Sequence, residues 1–396
     1  MSISEESISY CEYCKGVLLT TKDLELNAHE SCLESINEFH NSLASNIEYF
    51  RLDQEEYNAI LQLEQLNSYL SDESIESNIK VLDAKLYNNC ISSITIDLTH
   101  IFNINDIIQP IFGPIFENFK SLMTLNIKSA NFPFLENILN IPNRVFFINL
   151  SNNNLEKLPP SLFKKTSLRI LNLSDNELTD LPLLMSNFNL LNSLHLTNNK
   201  LERLPRFIMN FKKLKTLRVG GNKLSIFPYG IMYLKELTDL DISYNSISSI
   251  PLNIKYLTSL STLNASNNNI KTISDNFDDL TNLKIIDFSY NLLTSVPASM
   301  LKNDKIFSLN LSHNKITTLP RLPKSLTTLN ISDNEISELP DYIFSHLEQL
   351  TNINLSNNNL TSIPKSLLHL PNLRYLKITG NPIKEPIPEN SINLIF

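Results

Sequence analysis

The chain has no tryptophan, only six glycines and only four cysteines in 396 residues. Each scarcity excludes something. There is no glycine-rich loop able to cradle a phosphate, no Gly-x-Ser-x-Gly elbow and no kinase signature. Four cysteines without a regular framework do not make a disulfide-stapled scaffold and suit a reducing compartment. No apolar run approaches the roughly 18 residues that a membrane-crossing helix requires. The opening residues, Met1-Ser2-Ile3-Ser4-Glu5-Glu6-Ser7, are acidic and polar where a secretory signal would be basic and then apolar. These features predict a cytoplasmic protein, with a nuclear location as the alternative, and no membrane partner.

Basic charge is also scarce at one end. Residues 1–90 carry 17 acidic and 5 basic side chains, a net charge of −12, whereas the remainder carries 24 and 28. Phosphate recognition depends on lysine and arginine, so a nucleic-acid footprint on the first segment is disfavoured.

What the chain has in abundance is a period. Numbering a unit from its first apolar residue, apolar side chains fall at positions 1, 4, 6, 11 and 14 and asparagine at 9, as in Leu168-Arg169-Ile170-Leu171-Asn172-Leu173-Ser174-Asp175-Asn176-Glu177-Leu178. Units start at Val145, Leu168, Leu191, Leu214, Leu237, Leu260, Leu283 and Ile306, each 23 residues after the last, and then at Leu326, Leu350 and Leu373. Such a unit cannot bury its apolar face alone, so successive units must stack into a solenoid. Positions 4 and 6 flank one outward residue, the period of a short strand. Parallel strands should line a concave face. The asparagines, from Asn153 to Asn381, should form a ladder that satisfies buried backbone groups.

Proline follows position 14 in most units and can open a short helix on the other side as its first residue. The 20-residue unit from Ile306 reads Leu319-Pro320-Arg321-Leu322-Pro323 and has room only for an extended segment. Two degenerate units precede the regular ones. One is carried by Leu122, Leu125, Ile127, Phe132 and Leu135, the other by Ile91, Ile94, Ile96, Ile101 and Ile104. That makes thirteen units over residues 91–396. The apolar Leu394-Ile395-Phe396 should close the last unit, with capture by a strand-adding domain as the alternative.

This pattern resembles the intracellular 23-residue leucine-rich repeat family of Ras-suppressor-like and Scribble-like proteins. The resemblance implies an α/β fold, a leucine-rich repeat solenoid, and a non-enzymatic scaffold or adaptor role with a protein partner such as a small GTPase or a phosphatase subunit.

The chemistry of the first segment lies in Cys11-Glu12-Tyr13-Cys14 followed by His29-Glu30-Ser31-Cys32. Three thiolates and an imidazole form a tetrahedral set for structural Zn2+, with no open position for catalysis. His40 is the alternative fourth ligand. The arrangement resembles small Cys-Cys-His-Cys zinc fingers, which brings a ubiquitin-pathway adaptor into view as a second function. Residues 1–35 are therefore read as a zinc finger and residues 36–90 as an acidic helical segment, in which Ile36, Phe39, Leu43, Ile47 and Phe50 recur at helical spacing. The apolar face of that segment packs on the solenoid or pairs with another chain. Too few heptads are present for a coiled coil, so a monomer is expected.

Position 5 points outward from each strand and is usually asparagine. Asn149, Asn172, Asn264, Asn310, Asn330 and Asn354 each head an Asn-x-Ser sequon there, which makes the sequons by-products of the repeat. The departures cluster in the middle as His195, Arg218, Asp241 and Asp287. Nearby outward positions add Asp239, Tyr244, Tyr290 and His313. Aromatic and arginine side chains in a central cluster are the composition of a binding hot spot. Phe146, Phe147 and Ile170 form a second, apolar patch. No nucleophile or oxyanion donor set accompanies the acid-base groups, which argues against an enzyme.

Overall fold

The computed structural model describes residues 143–384 without interruption, residues 122–128, and the strands at Ser9–Tyr10, Val17–Leu18, Leu82–Tyr87, Cys90–Asp97 and Leu394–Ile395. The chain forms two compact units, residues 1–191 and 192–396.

In the first unit, β1 (Ser9–Tyr10) pairs antiparallel with β2 (Val17–Leu18). β3 (Leu82–Tyr87) pairs antiparallel with β4 (Cys90–Asp97), and β5 (Thr124–Lys128), β6 (Phe147–Asn149) and β7 (Ile170–Asn172) continue from β4 in parallel. The two degenerate repeats thus supply strands as expected, with Ile94 against Leu125 and Leu125 against Ile148 in register, all fully buried. The expectation of helix up to residue 90 is corrected at its end. Leu82-Asp83-Ala84-Lys85-Leu86-Tyr87 alternates apolar and other residues and forms a strand, which gives β4 a backbone partner on the side that no repeat covers.

In the second unit the repeats supply β8 (Ser193–His195), β9 (Thr216–Arg218) and β10 (Asp239–Asp241), then β11 (Ser249–Ile250), β12 (Thr262–Asn264), β13 (Thr272–Ile273) and β14 (Ile285–Asp287). β15 (Ser308–Asn310), β16 (Thr328–Asn330), β17 (Asn352–Asn354) and β18 (Tyr375–Lys377) follow, and β19 (Leu394–Ile395) pairs in parallel with β18. The main strands are parallel and in register. A row of position-4 side chains, Leu194, Leu217, Leu240, Leu263, Ile286, Leu309, Leu329, Ile353 and Leu376, is at most 1% exposed. Full burial of such a residue stabilises by about 1.5 to 3 kcal/mol, so the row fixes the register that points position 5 outward. β11 and β13 form a separate parallel pair.

The proline-opened segments close the core from the other side, as short 3-10 turns rather than α-helices. They include Pro160–Lys164, Leu183–Asn187, Arg206–Asn210, Tyr229–Tyr233 and Leu252–Tyr256. Among the described residues the α-helical turns are Ala298–Leu301 and Lys365–Leu368. The proline is the cap residue, not the first helical residue. Pro205 and Pro228 keep an extended ψ of 155° and 110°, and their carbonyls accept the N–H of Ile208 and Ile231. A ring that fixes φ and needs no donor suits this corner. Leu319–Pro323 carries no helical turn, as its shorter unit requires.

The asparagine ladder is present in atomic detail. Asn245 Nδ2 donates to Val219 O of the preceding unit at 3.0 Å and to Ile242 O and Ser243 O of its own at 3.1 and 2.9 Å. Its Oδ1 accepts the Leu224 N–H at 2.9 Å. Asn268, Asn291 and Asn314 repeat the pattern. One amide thus ties two neighbouring repeats together through both its donors and its acceptor.

Candidate functional site

The register of the second unit brings the position-5 departures side by side. His195 on β8 lies opposite Arg218 on β9, which lies opposite Asp241 on β10. Arg218 Nη2 contacts Asp239 Oδ2 at 3.1 Å in a half-exposed ion pair. His195 Nε2 lies 2.8 Å from Ser193 Oγ. Burial, and secondarily the Arg218 guanidinium, hold the His195 pKa below its ordinary value, while Asp239 pulls the other way. His195 thus favours its neutral form within a polar, mixed-charge patch.

Asp241 and Asp287 have a different job from the one their charge suggests. Asp241 Oδ1 accepts the Ser243 N–H at 3.0 Å and its hydroxyl at 2.6 Å, and Asp287 Oδ1 accepts the same groups of Ser289 at 2.8 and 2.6 Å. Asn264, Asn310 and Asn354 do this with Ser266, Ser312 and Ser356. The Asn-x-Ser sequons are thus side-chain turns that carry the chain off each strand. Where position 5 cannot serve as a carboxamide or carboxylate acceptor, position 7 changes with it: Thr197 follows His195, Gly220 follows Arg218 and Thr379 follows Lys377. Asp287 Oδ2 additionally accepts from Asn310 Nδ2 at 3.0 Å.

Tyr244, Tyr290 and His313 occupy position 8, one residue beyond this turn. All three hold a left-handed backbone, with φ of 49°, 54° and 53°. Asn152, Asp175, Asn198, Asn267, Asp333 and Asn357 fill the equivalent place in other units, and Gly221 and Gly380 do so with φ of 65° and 73°. Small polar residues and glycine tolerate this conformation, whereas a bulky side chain pays strain. The Tyr290 ring stacks on His313 with centroids 3.9 Å apart, His313 Nε2 lies 3.4 Å from Asp333 Oδ2, and Asn357 Nδ2 donates to Asp333 Oδ1 at 2.8 Å. Tyr244 remains 64% exposed.

The eight expected residues therefore fall into a group around Arg218, a group around Tyr290, and Tyr244 between them in sequence. Ser193, Ile285 and Phe307 were missed by sequence reasoning. Ile285 on β14 and Phe307 beside β15 are among the exposed large apolar side chains, and their signal was an apolar residue at an outward position 3 or 2. Phe146, Phe147 and Ile170 are half-buried in the first unit. Cys11, Cys14, His29, Cys32 and His40 lie outside the described residues, as do residues 36–81. The flanking strands β1 and β2 pair through Tyr10 and Val17 and leave six residues between them, which include Cys11 and Cys14. No helix among the described residues is long and apolar enough to cross a membrane.

Comparison with known proteins places these features in a family. The leucine rich repeat model matches residues 147–201, 258–316 and 324–383. A leucine-rich repeat protein of Leptospira interrogans is 30% identical, with a TM-score of 0.65 over 69% of this chain and 70% of that one. An internalin of Listeria monocytogenes shares the fold at 21% identity, with a TM-score of 0.66 over 85% of this chain and 94% of that one. A chain of the octameric complex of Latrophilin 3, Unc5D and the FLRT2 leucine-rich repeats is 26% identical, with a TM-score of 0.56 over 64% of this chain and 84% of that one. No curated protein matches the chain significantly.

Proposed function

The chain belongs to the leucine-rich repeat family, and from that premise we propose that it is a non-enzymatic scaffold or adaptor that grips a signalling protein on the strand face of residues 192–396. The observation that carries this reading is Tyr244, Tyr290 and His313 held in left-handed backbone where small polar residues suffice elsewhere. Backbone strain retained at the exposed Tyr244 and Tyr290 supports a binding surface rather than packing. The FLRT2 comparison, a chain from a multi-protein complex, supports a protein partner. The family resemblance points to a small GTPase or a phosphatase subunit, and the mixed charges of Arg218, Asp239 and Asp241 suit a polar partner surface.

The cysteine cluster adds a structural Zn2+ held by Cys11, Cys14, His29 and Cys32. The Cys-x-x-Cys spacing favours this, because it can present two sulfurs to one ion, and the strands that flank it in sequence pair antiparallel. Stoichiometric zinc in the purified full chain, lost in Cys11→Ser/Cys14→Ser, is expected; a metal-free chain would remove this module and the ubiquitin-adaptor alternative with it. Cysteine usage and the structural duty of the sequons favour the cytoplasm.

The decisive experiment is affinity purification with mass spectrometry on wild type against Arg218→Glu/Tyr244→Ala. Both side chains are exposed, so circular dichroism should not change. Loss of the captured partner supports the strand face. An identical set of captured proteins would place the site elsewhere.

A further inference from the structure

Two successive proline-opened segments of the second unit carry an unusual surface. Tyr229, Tyr233, Leu252 and Tyr256 are 46 to 62% exposed on Tyr229–Tyr233 and Leu252–Tyr256. Lysines stand over two of these rings. Lys212 Nζ lies 5.6 Å from the Tyr233 centroid, and one repeat later Lys235 Nζ lies 4.9 Å from that of Tyr256. The spacing of 23 residues separates both the lysines and the tyrosines, so the same cation-aromatic step is built twice. Lys255 Nζ approaches Tyr256 from its own unit at 5.5 Å. Lys235 Nζ is also anchored by donating to Tyr256 O at 2.9 Å.

Among the described residues, none of these lysines has a carboxylate within ion-pair distance. The contrast is with later units, where Lys302 meets Asp278 at 3.6 Å and Lys324 meets Asp304 at 2.9 Å. The step is also bounded: Asn189 and Asn210 stand where it would begin a repeat earlier, and Thr258 and Asp279 where it would continue. A localised set of cations, held in place and not neutralised, sits among exposed aromatic rings.

We propose that this surface is a second docking site, distinct from the strand face, and that its occupant is an acidic segment of a partner protein that interleaves carboxylates with apolar or aromatic residues. Charge complementarity calls for an anionic occupant. Fixed lysine positions favour a polypeptide over a bilayer, because a preorganised array lowers the ordering cost of a partner with matching spacing, whereas mobile headgroups gain little from it. Exposed tyrosine rings add contact area at small entropic cost.

The test is fluorescence anisotropy of the full chain with a labelled random copolymer of glutamate and tyrosine, with polyglutamate, and with vesicles of phosphatidylserine or phosphatidylcholine. Wild type should bind the copolymer more tightly than polyglutamate. Lys212→Glu/Lys235→Glu/Lys255→Glu should weaken copolymer binding about tenfold or more, and Tyr233→Ser/Tyr256→Ser about fivefold. Arg218→Glu on the strand face should leave it unchanged. Wild-type affinity in the lysine-reversed chain would overturn the proposal. So would phosphatidylserine binding without copolymer binding, which would make a bilayer the occupant. A concentration-dependent dimer abolished by the same reversal would make it a second copy of this chain and overturn it equally.

Discussion

Replacing Tyr244 by asparagine should make the protein more stable and a poorer binder. Tyr244 holds φ at 49°, a region that costs an ordinary L-residue roughly 1 to 2 kcal/mol and asparagine considerably less. Asn198 and Asn267 occupy the same place in other units. Against this relief stands the contact area lost with the ring. At 64% exposure about a third of the residue is covered, and because asparagine keeps the backbone and Cβ share of that contact, the loss is about 1 kcal/mol at the usual transfer coefficient. The backbone contribution wins by a narrow margin, and Tyr244→Asn is expected to gain about 0.5 kcal/mol, which raises the midpoint of thermal denaturation by about 0.5 to 1 °C for a chain of this size. Tyr290→Asn is the internal control. Its φ is 54°, but its ring also stacks on His313 at 3.9 Å, and such pairs contribute about 0.5 to 1.5 kcal/mol. The two effects nearly cancel there. Circular dichroism melts of the two variants beside wild type are the assay, with partner capture measured in parallel. If Tyr244→Asn lowers the midpoint, or if both variants shift alike, the strain argument fails and the case for a binding surface at position 8 fails with it.

Other outcomes follow from the same geometry. Asn268→Ala removes the acceptor for the Ile247 N–H and leaves that buried donor unpaired, so chemical denaturation should show a loss of about 1 to 3 kcal/mol. Asp241→Asn keeps the Oδ1 that receives Ser243 and should leave stability within about 0.5 kcal/mol, while any fall in partner affinity would report the value of the charge alone. Lys165 titrates at about 8 instead of 10.5, chiefly because it is buried and secondarily because Lys164 adjoins it. The unfolded chain then binds more protons between those values, so stability should rise with pH across that interval and fall as pH drops through 8. In Lys165→Met the urea midpoint should rise less over that interval than in wild type, and an identical pH profile would contradict the assignment.

The architecture was legible because its signals are periodic and overdetermined. Every unit reports the same requirement: an apolar pair around one outward residue, an asparagine whose amide has both donors and an acceptor to place, and a proline at a corner. A single sequence therefore contains its own alignment. The degenerate units at Ile91 and Leu122 could be read because their apolar frame persists without the asparagine, and Ile94 and Leu125 pair in register as that frame requires. What escaped was whatever depends on direction rather than type. Proline at a corner serves equally as cap or first helical residue, and only the accepting carbonyl of Pro228 toward Ile231 decides between them. The strand at Leu82–Tyr87 escaped for a related reason, since six alternating residues in an acidic tract carry too weak a pattern to outweigh the helical spacing before them.

The candidate site was only half legible, because departure from a consensus has two physical meanings. Asp241 and Asp287 depart in charge but not in hydrogen bonding. Each keeps the oxygen that an asparagine would offer, and the serine two residues on keeps its place. His195 and Arg218 depart in hydrogen bonding itself, and Thr197 and Gly220 show that the turn was rebuilt around them. The second kind of departure abandons a turn that the fold uses elsewhere, so it needs a compensating gain outside the fold. The same reasoning applies at position 8. Asn267 and Asp333 satisfy a left-handed backbone cheaply, whereas Tyr244 and Tyr290 do not. The strand face is therefore better defined by His195, Arg218, Tyr244, Tyr290 and His313 than by its carboxylates. A partner that recognises it should depend on shape and aromatic contact first and on the Arg218–Asp239 pair second, since a half-exposed ion pair contributes at most about 1 kcal/mol.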